Sequence, residues 1–179
     1  MDSVKLHDKT FTKYLGNNKL QERIEYLSNR INNDYKDKSP LFLIVLKGAL
    51  LFGTELFKRF SGEAEIEFIK AKSYLGIERS NDITFQLPDP KLLKSRNIII
   101  VEDIVDSGNT LKKLTPLILD AQPQSLALAS LLSKPDVHHN KIKIDYCGFE
   151  IPNDFVVGFG LDYDELGRNL DSIYSLAES

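Results

Sequence analysis

"IIIVEDIVDSGNT", residues Ile98 to Thr110, runs from four aliphatic side chains through Glu102, Asp103 and Asp106 into the small polar sequence Ser107-Gly108-Asn109-Thr110. A continuous apolar run leaves no face for water, so Ile98 to Val101 reads as a strand covered on both sides, as in a parallel sheet. Ligands of open parallel sheets bind at the carboxyl ends of the strands. With the strand ending at Glu102, the acids and the polar loop fall at that end. The helix expected to follow would turn its free backbone N–H groups toward an anion, above all a phosphate. Gly108 permits close backbone approach, and the Ser107 and Thr110 hydroxyls add donors. No G-x-x-x-x-G-K-[ST] sequence occurs, which excludes the usual triphosphate-binding loop.

Acids crowded beside an anion need compensation, because like charges at 4 Å cost about 4 kcal/mol at an effective dielectric of 20. A diol and a divalent cation both supply it. A ribose 5-phosphate carries its phosphate and its hydroxyls at opposite ends of the sugar. The loop would hold the phosphate, Glu102 and Asp103 the hydroxyls, and Asp106 would lie near the anomeric carbon. Taken alone, "DSGNT" reads more readily as a solvated acidic loop in which Ser107 or Asn109 caps a helix. Only the longer pattern favours a ligand.

Outward from this stretch, strand and helix alternate. "NNKLQERIEYLSNRINNDY" spaces Leu20, Ile24, Leu27 and Ile31 for a helix, with Asn18 and Gln21 shaped like a capping box. Pro40–Leu46 is a second continuous apolar strand, and "GALLFGTELFKRF" a helix. "AEIEFIKAKSY" alternates as a strand; Leu75 to Lys94 is polar, broken by Pro88 and Pro90, and reads as a functional or mobile connection. Then come "NIIIVED" (strand), "GNTLKKLTPLILDA" (helix, with Pro116 marking a kink), "QSLALASLLSK" (strand), and two short strands in "KIKIDYCGFEI" and "FVVGFGLDY". The order predicts one α/β domain over residues 1–179, a mostly parallel sheet with helices on both faces.

A net charge of -3 and a pI near 5.7 give no general attraction to nucleic acid or to an anionic membrane. No stretch nears the ~20 apolar residues of a membrane span. The opening "MDSVKLHDKTFTKY" lacks the apolar core of a secretory signal. The single cysteine, Cys147, suits a reducing cytoplasm and reads as a buried strand thiol. The His138-His139 pair, with no further ligand at suitable spacing, reads as solvent-exposed.

The full thirteen-residue pattern closely resembles the phosphoribosyl-pyrophosphate loop of type I phosphoribosyltransferases. "VLKGALLF", "KSY", "LLSK" and "GFEIPNDFVVGFGLDYDELGRNL" follow the order seen in the hypoxanthine-guanine branch of that family, from Leu41 to Leu170. The resemblance implies the family's fold, a central mostly parallel sheet with a small hood from the terminal regions and a lid over about residues 72–94. It implies purine salvage, in which a 6-oxopurine displaces pyrophosphate from phosphoribosyl pyrophosphate. Hypoxanthine and guanine are the expected bases, giving IMP and GMP. It also implies Asp106 as the catalytic residue, and Glu102, Asp103, Asp106 and Ser107 to Thr110 as the phosphoribosyl pyrophosphate and ribose 5-phosphate site. Lys47, Gly48 and Arg168 would bind pyrophosphate, with a cis peptide before Lys47. Ser73 and Tyr74 would begin the lid. Lys134 would donate to the purine 6-oxo group, Phe155 stack on the base, and Val156 offer its backbone to the base edge. Asp162 would bind magnesium, the expected cofactor, and relatives form homodimers or homotetramers.

Some positions depart from the family pattern. Asn109 stands where many relatives carry Lys or Arg, and Gly167 where an aromatic is common before the arginine. Beyond Ser73-Tyr74 the lid sequence matches nothing in the pattern. Two other readings stay in view. Nucleic-acid-binding regulators on this fold should show a basic surface, which an acidic chain lacks. Adenine or orotate transferases are disfavoured by Lys134 and "GFEIPNDF".

Overall fold

The computed structural model describes residues 2–73 and 83–177, and for Lys72 and Ser73 the backbone alone. Along the chain lie β1 (Ser3–Leu6), β2 (Lys9–Leu15), α1 (Asn17–Tyr35), β3 (Leu41–Leu46), α2 (Leu50–Lys58), β4 (Glu65–Ser73), β5 (Ile83–Gln86) and α3 (Pro90–Leu93). They are followed by β6 (Asn97–Val105), α4 (Asn109–Leu119), β7 (Ser125–Ser133), α5 (Pro135–His138), β8 (Tyr146–Glu150), β9 (Val156–Val157) and β10 (Ile173–Leu176).

The larger sheet has six strands in the order β5-β4-β3-β6-β7-β8, parallel except where β5 pairs antiparallel with β4. Side chains alternate across a strand, so the unbroken apolar run of β3 feeds two cores. Phe42 and Ile44 pack with Leu20, Ile24, Leu27 and Ile31 of α1 and with Phe52 and Leu56 of α2. Leu41, Leu43 and Val45 pack on the opposite face with Leu111, Leu114 and Ile118 of α4. Each such side chain, fully buried, contributes about 1.5–3 kcal/mol over exposure, so helices cover both faces as the sequence implies. A second, four-stranded sheet, β1-β2-β10-β9, is antiparallel and joins the two terminal regions over Phe11, Val157 and Tyr174, as the expected hood.

Several expectations need correction. β6 does not end at Glu102: Ile104 and Val105 still pair with Leu132 and Ser133 of β7, so two of the acids belong to the strand itself. The capping box at Asn18 and Gln21 is not formed. Gly16 is the N-cap without a side-chain bond, the Asn17 N–H donates to Ser172 Oγ at 3.1 Å, and Gln21 Nε2 turns to Asn17 Oδ1 at 3.2 Å. A hydroxyl from the far end of the chain does what a local cap would have done.

The stretch Leu75 to Lys94 is not structureless where it is described. Residues 83–86 pair with β4, and Pro90 opens α3 at a position where a missing N–H costs nothing, capped by Asp89 Oδ1 accepting from the Lys91 N–H at 2.9 Å. Tyr74 and the start of the lid beyond it lie outside the described residues. α4 continues past Pro116, whose carbonyl accepts from the Asp120 N–H at 2.9 Å. "FVVGFGLDY" forms only the two-residue β9, because Gly158 (φ 101°) and Gly160 (φ 105°) turn the chain in a region that disfavours side chains. Cys147 lies on β8 but is half-buried, and His138 is buried where only His139 is exposed.

Candidate active site

The turn from β6 into α4 is made by Gly108, whose φ of 71° places the chain in the left-handed region. Ser107 Oγ accepts from the Asn109 N–H at 3.4 Å, and Lys112 Nζ donates to the Ser107 carbonyl at 3.4 Å, tying the loop to the first turn of the helix. The first N–H groups of α4 have no intrahelical partners and face the loop. A cavity of about 240 Å³ lies here, lined by residues 102–111 with Val45 and Ala71. A larger cavity of about 430 Å³ behind α4 is mostly apolar and holds none of the acids of this loop.

Glu102 is buried, and burial followed by the neighbouring Asp103 pushes its carboxyl well above the usual carboxylate range. Asp103 is half-buried, and burial pushes its carboxyl up to about 6 against the opposing pull of backbone donors and Arg168. One of those donors is the Ile104 N–H, 2.9 Å from Oδ1. The Leu46–Lys47 peptide is cis, as the resemblance implies. Gly48 follows directly, and a Cβ there would overlap the Asp103 carboxylate, while one at Gly160 would overlap the Gly48 carbonyl. Three distant segments thus meet backbone to side chain, and glycine is required at the contact.

Asp106 is exposed and faces the Lys134 ammonium at 3.4 Å; the lysine is buried, at 6% exposure, and its other acceptor is Asn153 Oδ1 at 3.4 Å. Phe155 is nearly half exposed and stands edge-on to Tyr163, centroids 5.9 Å apart. Its carbonyl accepts from the Leu176 N–H at 2.9 Å, so by strand alternation the backbone groups of buried Val156 point away from β10. They are therefore presented on the side opposite the hood strand.

Lys47 Nζ donates to Glu165 Oε2 at 2.8 Å. Arg168 donates to the Gly160 carbonyl at 2.9 Å, pairs with Asp162 Oδ1 at 2.7 Å and reaches Glu165 Oε2 at 3.5 Å, while its Nε is buried without a partner. Asp162 Oδ2 also accepts from the Glu165 N–H at 2.8 Å. Lys47 first, then Arg168, hold the Glu165 carboxyl below its usual range. Gly167, at φ 98°, packs beside Leu6 of the hood. Among the described residues, no group of three or more His, Cys, Asp and Glu side chains is arranged to hold a metal by itself.

The structure therefore brings Lys47, Gly48, Asp103, Asp162 and Arg168 into one neighbourhood, and Asp106 and Lys134 into another beside it. Sequence reasoning missed Glu165, whose only signal was its place three residues before Arg168, and Asn153, which had none.

Asp103 yields a pH prediction. A carboxyl whose folded pKa lies above its unfolded value keeps its proton longer in the native state, so native stability falls as pH rises from about 4 to about 6. Asp103→Asn should therefore be more stable than the native protein at pH 7.5, by up to about 3 kcal/mol, with the difference shrinking toward pH 4. Urea denaturation across that range checks it; a pH-independent difference would remove Asp103 as its source.

Residues 12–164 match the phosphoribosyl transferase domain family. The hypoxanthine-guanine phosphoribosyltransferase of Mycobacterium bovis is 42% identical over 164 residues, covering 88% of this chain and 81% of that protein. The crystal structure of a hypoxanthine phosphoribosyltransferase from Staphylococcus aureus superposes with a TM-score of 0.85 at 33% identity, covering 92% of this chain and 90% of that one. A hypoxanthine phosphoribosyl transferase of Trypanosoma cruzi gives the same TM-score of 0.85 at 29% identity, covering 97% and 95%. With its loop, its acid pair and its fold in agreement, the chain belongs to the phosphoribosyl transferase family.

Proposed function

We propose that this protein is a purine-salvage enzyme, transferring the 5-phosphoribosyl group from phosphoribosyl pyrophosphate to a 6-oxopurine with release of pyrophosphate. The observation that carries the choice of base is the buried Lys134 ammonium, a group with donors only, standing 3.4 Å from Asp106.

On this reading the 5-phosphate sits on the N–H groups and hydroxyls of Ser107 to Thr110. Asn109 contributes no charge, so the backbone and the helix start hold the anion. Glu102 and Asp103 accept from the ribose hydroxyls. Lys47, the Gly48 backbone and Arg168 exchange Glu165 for the oxygens of the diphosphate. Phe155 stacks on the purine, Val156 meets its edge with backbone groups, and Lys134 donates to O6. As N9 attacks the anomeric carbon and the C1′–O bond to pyrophosphate breaks, Asp106 takes up the proton shed by the purine at N7. The segment beginning at Ser73 and Tyr74 is assigned to excluding water, on the family pattern alone.

Magnesium suits this site as a partner shared with substrate. Asp162 is the assigned protein ligand, and Asp103, close enough to feel its charge, is a half-buried acid that burial pushes up to about 6 despite the pull of Arg168, so a cation beside it would favour its charged form. Magnesium is commonly held by one or two carboxylates together with substrate phosphates. When bound, it neutralises charge on the departing diphosphate. Magnesium alone should leave the melting temperature nearly unchanged, while magnesium with saturating phosphoribosyl pyrophosphate should raise it by about 5–10 °C. A full shift with magnesium alone would mean a metal site complete without substrate.

The same reading extends to a cytoplasmic homodimer or homotetramer. No helix among the described residues is long and apolar enough to cross a membrane. The test of the reaction is incubation with radiolabelled hypoxanthine, phosphoribosyl pyrophosphate and magnesium. Labelled nucleoside monophosphate is expected; unchanged base would refute the proposal.

A further inference from the structure

We propose that His138 is a positioning residue that, acting through Ser133, aims the Lys134 ammonium at the purine. The inference rests on the reading of Lys134 as the group that recognises position 6 of the base.

Lys134 is not fixed by its own side-chain contacts. Its ammonium reaches Asp106 and Asn153 only at 3.4 Å each, beyond the usual 2.7–3.2 Å of a good N–H···O bond. Its direction must come from the backbone that carries it. There the residue is pinned on both sides: its N–H donates to the Val105 carbonyl at 2.9 Å, and its own carbonyl accepts from Val137 at 3.0 Å and from His138 at 3.2 Å. Those last two bonds belong to α5, a four-residue turn far too short to be stable alone.

The imidazole of His138 closes that turn. It is 4% exposed, and its Nε2 lies 2.9 Å from the hydroxyl of Ser133, which is 2% exposed and immediately precedes Lys134. The other ring nitrogen, Nδ1, is buried without a partner, so Ser133 is the ring's single polar anchor among the described residues. One residue thus bonds the Lys134 carbonyl with its backbone and the preceding side chain with its ring, forming a loop of bonds around the lysine. The half-buried Cys147 thiol, raised above its usual range chiefly by burial, also draws on the Ser133 hydroxyl. Both features the reaction leaves unused, the histidine and the cysteine, meet at this serine.

Removing the latch should loosen base recognition and leave the phosphoribosyl pyrophosphate site alone, since Ser107 to Thr110 stand on a different loop. His138→Leu and Ser133→Ala should each raise KM for hypoxanthine about tenfold, the scale of one buried hydrogen bond, with KM for phosphoribosyl pyrophosphate changed by less than about twofold. Both should narrow the preference for hypoxanthine over adenine. His138→Gln, whose amide reaches the place of Nε2, should restore most of the loss. Should His138→Leu fail to fold, Ser133→Ala, which removes only a hydroxyl, carries the test. Parallel changes in both KM values, an unchanged KM for hypoxanthine in Ser133→Ala, or a Gln variant no better than Leu would each overturn the role of His138. The native protein's own transfer rate stands apart from these ratios: no transfer at all would overturn the reading of Lys134 on which the inference rests.

Discussion

Asp106→Asn is expected to lower kcat by roughly 10²–10⁴, the range for loss of a general acid or base. Asp106 is exposed at the mouth of the anion loop, and no other carboxylate of that loop is both exposed and in reach of Lys134. Glu102 is buried and Asp103 is turned toward Gly48, so neither can substitute. Asparagine keeps the size and an acceptor for Lys134 but cannot take a proton. Affinity for phosphoribosyl pyrophosphate should hardly change, because on the proposed reading the phosphate rests on Ser107 to Thr110 and not on Asp106. A rapid-quench measurement of kcat with the KM of each substrate checks both halves. Near-native kcat would remove Asp106 from the proton transfer.

Lys134→Gln should have the second largest effect, on the choice of base. Asp106 and Asn153 each stand 3.4 Å from the ammonium and at most engage two of its three donors, which leaves a donor for position 6 of the purine. Hypoxanthine offers an oxygen acceptor there, whereas adenine offers an amino donor. Two donors facing each other in a closed site each cost about 1–3 kcal/mol, together a factor of roughly 30 to 10⁴ in kcat/KM. A neutral glutamine amide can turn its NH2 toward hypoxanthine or its oxygen toward adenine, so hypoxanthine use should fall and its advantage over adenine should narrow. Comparing kcat/KM for both bases in the native and variant proteins decides it. An unchanged preference would show that Lys134 does not read position 6.

The parts of the fold legible in sequence were those whose burial writes a period into the chain. β3 and residues 98–101 of β6 are buried on both faces and read as unbroken apolar runs, and α1 repeats Leu20, Ile24, Leu27 and Ile31 at helical spacing. The hood strands carry no such signature. β2 buries only Phe11 fully, and its partner β10 lies at the other end of the chain, so neither strand announces the pairing locally. In sequence Glu102 and Asp103 look like a strand terminus, yet the ladder of β6 with β7 carries them inside the strand.

The site shows the same division. The loop from Ser107 to Thr110 is contiguous with the strand before it, so a candidate anion site can be read from thirteen residues. The meeting of Gly48, Asp103 and Gly160 joins three separated segments through backbone contacts that no residue type advertises. Glu165 escaped notice for a related reason: as an acid in an acidic stretch it looked solvated, although it bridges Lys47 and Arg168. His138 looks exposed in sequence because its anchor, Ser133, lies across the turn on β7.

The most direct test of the central claim is a single competition reaction. Phosphoribosyl pyrophosphate, magnesium and equal amounts of hypoxanthine, guanine, xanthine, adenine and orotate are mixed with the protein, and the nucleotides and pyrophosphate are quantified by mass spectrometry. 6-Oxopurine nucleotides are expected, with one pyrophosphate released for each, and adenine and orotate left unchanged. Adenosine or orotidine monophosphate as the main product, or pyrophosphate released without any nucleotide, would contradict it.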